Sequence, residues 1–162
     1  MTMFKRKKIG PKSTIEDVIN KHLEGELKEQ ALEFVPWLKA NGVTKWRNNP
    51  MDWKLPYGEH YPCMIQFDPN QWRFTFFAGD YSGDFEEGFA KAVQDNVKPC
   101  TSCHGGCIFG RDITIFGKEF TNACSQLTVQ FENPDAATLD HIKKLFEYWR
   151  TAEPSDSWHY HN

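Results

Sequence analysis

The chain has 162 residues, 40% of them apolar and 25% charged, with a formal net charge of −3. This length suits one domain with a real core, and the ordinary apolar and charged shares exclude a wholly disordered chain. The acidic balance argues against a general nucleic-acid binder, which carries a basic excess on its folded surface.

The chain starts with Lys5, Arg6, Lys7, Lys8 and Lys12 close together. No apolar run follows them, as a secretory signal requires, and no apolar stretch elsewhere reaches membrane-spanning length. The expected organisation is a basic tail over 1–12, a single α+β domain over 13–152 and a polar tail over 153–162, in a cytoplasmic protein.

Ser13 to Glu16 reads as a capping box that starts a helix, whose apolar stripe is Ile15, Val18, Ile19 and Leu23. Gly25 should break it. A second helix follows with Leu27, Ala31, Phe34, Val35 and Leu38 inward, kinked or restarted by Pro36 and stopped at Asn41-Gly42. Strands are predicted over 43–47, 53–57, 61–67 and 71–78, with turns at Asn48-Asn49-Pro50, Tyr57-Gly58 and Asp68-Pro69-Asn70. The last turn should close a hairpin in which Trp72, Phe74 and Phe76 share one face. Then come a helix over 84–97, strands over 112–116 and 126–131, and a final helix. That helix should begin with Asn133 as its cap, Pro134 in its first turn and an acid behind, and bury Leu139, Ile142, Leu145, Phe146 and Trp149. Together these predict an α+β fold: an antiparallel β-sheet packed against several helices, with a cysteine-rich metal-binding loop.

The loop carries the strongest chemical signal. Of five cysteines, Cys100, Cys103, Cys107 and Cys124 are spaced C-x2-C-x3-C-x16-C, while Cys63 stands apart in an apolar run. An odd count in a reducing compartment argues against a disulfide framework. Four thiolates suit tetrahedral zinc, and Gly105 and Gly106 permit the turn a metal knuckle needs. Zinc on these four cysteines is therefore the expected cofactor, with His104 as a bystander beside the ligands.

Three rival chemistries fit less well. Cys100-Thr-Ser-Cys103-His104 matches a haem-attachment pattern, but haem would leave Cys107 and Cys124 unexplained. An iron–sulfur cluster needs four cysteines in a different run. Thiol–disulfide chemistry at Cys100 and Cys103 is the main alternative, although the pair follows a helix instead of opening one.

The second signal is aromatic. Trp46, Trp53, Tyr57, Tyr61 and Trp72 crowd the predicted sheet, and Trp46, Trp53, Tyr61 and Trp72 with Arg73 are candidates to line a site for a small apolar or anionic ligand or for another protein. Arg47 and Lys54 are further cations for such a site. Glu86 and Glu87 are neighbours on a helix, point to different sides, and do not make an acid/base couple. Neither a G-x-S-x-G elbow nor a phosphate-binding G-x-x-x-x-G-K-[ST] loop occurs.

The clustered cysteines, the stretch Thr114-Ile-Phe-Gly-Lys-Glu-Phe120 with Cys124 after it, Phe131-Glu-Asn-Pro-Asp135 and Ile142-Lys-Lys-Leu145 resemble an uncharacterised family of short bacterial cytoplasmic proteins. The resemblance covers roughly residues 100–150. It implies a bacterial cytoplasmic protein and no reaction. The expected function is a non-catalytic ligand-binding or protein-interaction module with a structural zinc; the alternative is a thiol oxidoreductase using Cys100 and Cys103.

Overall fold

The computed structural model describes residues 10, 12–47, 49–58, 60–77, 79–101, 110–124 and 128–151. Both terminal tails lie almost wholly outside them, and so do Cys103, His104, Gly105, Gly106 and Cys107. The described residues form an α+β domain. Its elements run α1 (Ile15–His22), α2 (Gly25–Ala40), β1 (Thr44–Trp46), β2 (Asn49–Tyr57), β3 (His60–Asp68), β4 (Gln71–Phe76), α3 (Glu87–Gln94), β5 (Arg111–Ile115), β6 (Lys118–Ala123), β7 (Val129–Glu132) and α4 (Ala136–Thr151).

Strands β1-β2-β3-β4-β7 make a five-stranded sheet, and β5-β6 a separate two-stranded one; every neighbouring pair is antiparallel. The register aligns Trp53, Ile65, Phe74 and Phe131 in one row, and Leu55, Cys63, Phe76 and Val129 in the next. All eight are buried, because alternate residues of paired strands share one face. Helices α1, α2 and α4 cover that face with Ile15, Val18, Ile19, Phe34, Leu38, Ile142, Leu145, Phe146 and Trp149. Burying each such side chain contributes about 1.5–3 kcal/mol, so the helix stripes and the sheet face stabilise one another.

The local signals resolve differently from the sequence reading at several points. The first cap is Thr14, in a reciprocal box with Asp17, while the Ser13 hydroxyl accepts from Gly10 N–H. Gly25, at φ 57°, turns the chain between α1 and α2. Helix α2 runs through Pro36 without restarting; Pro36 is exposed, so its missing hydrogen bond falls on the solvent side, where water can replace it. Strand β2 begins earlier than expected and contains Pro50 and Pro56. Both lie where the register shifts, places where no ladder N–H is required. The β3–β4 hairpin forms as expected, with Asp68 opposite Gln71 and Asn70 at φ 52°.

Helix α3 is shorter than predicted and leaves Phe85 outside it, 42% exposed. Strand β6 was not foreseen. Its burial is mostly outward, with only Ala123 buried, so no alternation of apolar residues marks it. Helix α4 starts two residues late: Asp135, not Asn133, caps it by accepting from Thr138 N–H at 2.8 Å. Asn133 instead takes φ 44°, and its side chain accepts the Trp72 N–H at 3.0 Å.

Candidate metal centre at the junction of the two sheets

Residues 96–100 join the two sheets. On one side Gln130 N–H donates to the Asn96 carbonyl at 2.9 Å, and Lys98 N–H to the Thr128 carbonyl at 2.8 Å. These bonds add Val97 to the edge of the large sheet beside Val129. On the other side Cys124 N–H donates to the Lys98 carbonyl and Cys100 N–H to the Asn122 carbonyl, both at 2.8 Å, which sets Pro99 opposite Ala123. A residue lying between two such bonds makes none itself. Pro99, which has no N–H, therefore leaves no gap in the ladder.

Cys100 and Cys124 thus sit diagonally across one short antiparallel ribbon, and both are half-buried. Ala123 between them is in the core. The Cys100 and Asn122 side chains meet on the opposite side of the ribbon, against Gly110: a β-carbon there would stand 2.8 Å from the β-carbon of Cys100 and 2.0 Å from Asn122 Oδ1. By the alternation of a pleated ribbon Cys124 shares that side, and diagonal neighbours on one face are on the order of 7–8 Å apart. Asn122 itself takes φ 54°, and its N–H is held by Asp112 Oδ1 at 3.0 Å. The Thr128 hydroxyl donates to the Cys124 carbonyl at 2.9 Å and ties the end of β6 to the start of β7.

The chain therefore departs from this point after Cys100 and returns to it at Gly110. Cys103 is three residues from Cys100, and Cys107 three from Gly110, so neither tether exceeds about 11 Å. Those two cysteines and His104 lie outside the described residues. Among the described residues, no group of three or more His, Cys, Asp or Glu is placed to hold a metal ion; the described part of the cluster is the Cys100–Cys124 pair. Cys63 is remote from it, between β2 and β4, with Sγ 3.8 Å from the Met64 carbonyl. Complete burial pushes its thiol pKa well up.

The aromatic candidates do not form one surface. Trp72 is fully buried under α2, with its ring centroid 6.4 Å from that of Phe34 and 5.0 Å from that of Phe74. Trp53 is in the same core, and its indole N–H donates to the Pro50 carbonyl at 3.0 Å. Arg73 lies on the other face of the sheet, bonded to Asp68 at 2.8 Å and Gln66 at 3.1 Å. Only Trp46 and Tyr61 come together, edge to face with centroids 5.5 Å apart. Lys54 Nζ stands 3.7 Å from the Tyr61 centroid and 5.4 Å from that of Trp46, and the Arg47 guanidinium 5.5 Å from Trp46.

Two of the acids held below the ordinary carboxylate range, Glu86 and Asp135, have local explanations. The hydrogen bond from Lys144 lowers Glu86, and hydrogen bonds from Thr138 lower Asp135 at its cap. Sequence reasoning passed over Gly110, Pro99 and Thr128, since a glycine, a proline and a threonine beside a loop carry no ligand chemistry of their own. Their part in the junction depends on which strands pair.

The fold and this junction define the chain as an α+β domain whose two sheets are joined by one cysteine-bearing strip. Compared with protein-family models, curated proteins and solved structures, the chain matches none. Among the described residues no helix is long and apolar enough to cross a membrane.

Proposed function

We propose that the chain is a non-catalytic ligand-binding or protein-interaction module whose two sheets are clasped by a structural zinc on Cys100, Cys103, Cys107 and Cys124. The observation that carries this reading is the ribbon 98–100/122–124, which brings Cys100 and Cys124 onto neighbouring strands at the point where the chain holding Cys103 and Cys107 leaves and returns. Four thiolates complete a closed tetrahedral shell, the arrangement of structural and not of catalytic zinc. The close approach of Gly110 suits a tight base for such a loop.

Metal analysis tests this on protein purified in metal-depleted buffers, with iodoacetamide labelling before and after chelation. One zinc per chain and labelling of the cluster only after chelation are expected. A metal-free protein whose Cys100 or Cys103 is alkylated rapidly would overturn the proposal in favour of thiol oxidoreductase chemistry.

A further inference from the structure

We infer that the Trp46–Tyr61 corner binds a planar anion: an aromatic ring bearing a phosphate or carboxylate, with a nucleoside monophosphate as its simplest representative. This names a ligand class for the binding-module reading and is independent of the zinc.

The corner lies where β1, β2 and β3 meet at the sheet edge, away from the cysteine strip. Trp46 and Tyr61 are half-buried, and Arg47 is exposed. Both rings present apolar surface, and the Lys54 ammonium and Arg47 guanidinium lie against them at the distances given above. These two cations have no carboxylate partner among the described residues. The carboxylate two residues along the same strand face, Asp52, is taken by neutral amides instead: Asn49 Nδ2 at 2.6 Å and Gln66 Nε2 at 3.2 Å. Arg73, by contrast, is neutralised by Asp68. A half-buried aromatic ring beside these cations is complementary to a flat, negatively charged ring, which stacks on the one and pairs with the other. One ring pair, not a row, accommodates one base and not a strand.

Calorimetric titration of the full-length protein with AMP, adenosine and inorganic phosphate tests this. AMP should bind saturably, with adenosine and phosphate each at least about tenfold weaker. Trp46→Leu and Lys54→Gln should each weaken AMP by about tenfold, the first also weakening adenosine and the second also weakening phosphate. Arg47→Gln, at an exposed position, should weaken AMP as well and guards against a folding defect in Trp46→Leu. No saturable AMP binding would overturn the ligand class. AMP binding that survives all three substitutions would overturn the site while leaving the binding-module reading standing. Affinity confined to oligo(dT), rising with its length, would overturn it in favour of a single-strand binder.

Discussion

The β-carbon of Cys100 lies 2.8 Å from where a β-carbon on Gly110 would stand. Real β-carbons do not approach so closely, so the glycine at 110 is what lets the backbone there lie against Cys100.

Gly110→Ala should therefore force the ribbon apart. Overpacking of this kind costs about 1–3 kcal/mol, and urea unfolding should show it. If the zinc proposal holds, the same variant should lose metal at a lower chelator concentration. Gly88→Ala is the control: it has open space around the added methyl and sits in a helix, so it should be neutral or slightly stabilising.

The two classes of thiol should separate by reactivity. Cys63 is completely buried, and its raised pKa leaves almost no thiolate. Mass spectrometry after iodoacetamide treatment should find Cys63 unmodified in the folded protein, whether or not chelator is present, and modified only in denaturant. Cys124→Ser should lower the metal content, whereas Cys63→Ala should leave it unchanged.

Tryptophan substitutions should distinguish core from corner. Trp72→Ala removes a fully buried indole packed on Phe34, Phe67 and Phe74 and should cost about 3–5 kcal/mol. Trp46→Ala removes a half-buried ring at the sheet edge and should cost about 1 kcal/mol or less, the scale of an exposed cation–π contact. Equal losses in chemical denaturation would contradict the placement of these two rings.

Asp135 should give a pH signature. Its carboxylate accepts hydrogen bonds at the start of α4, and its pKa is lowered from the ordinary aspartate value. The folded state therefore keeps the group ionised to lower pH than the unfolded chain does. The resulting stability is fully present above the ordinary aspartate pKa of about 4 and is lost as pH falls below it. Asp135→Asn, which preserves a capping oxygen, should unfold with a flatter pH dependence in that range. Asp135→Ala should lose about 1 kcal/mol at neutral pH.

Much of the core was legible from spacing alone. The stripe Ile15, Val18, Ile19 in α1, the alternation of Trp72, Phe74 and Phe76 in β4, and the five buried positions of α4 all face the core as their periods require. Cap positions shifted by one or two residues, because Ser13, Thr14, Asn133 and Asp135 all have capping side chains, and the backbone path selects among them. Strand β6 was illegible because a strand in which only Ala123 is buried has no apolar period to read.

The sequence by itself determined the α+β class, the inward faces of the helices and the β3–β4 hairpin, since these follow from local periodicity and turn chemistry. It also marked the four clustered cysteines as a possible shell, because their spacing is written in the chain. Only the tertiary structure decided that Cys100 and Cys124 lie across one ribbon, that Gly110 closes against Cys100 and Asn122, and that Trp72 is core while Trp46 stays at the sheet edge. These are relations between segments far apart in the chain, and they depend on which strand edges find hydrogen-bond partners; a side chain's type and spacing carry no record of that choice.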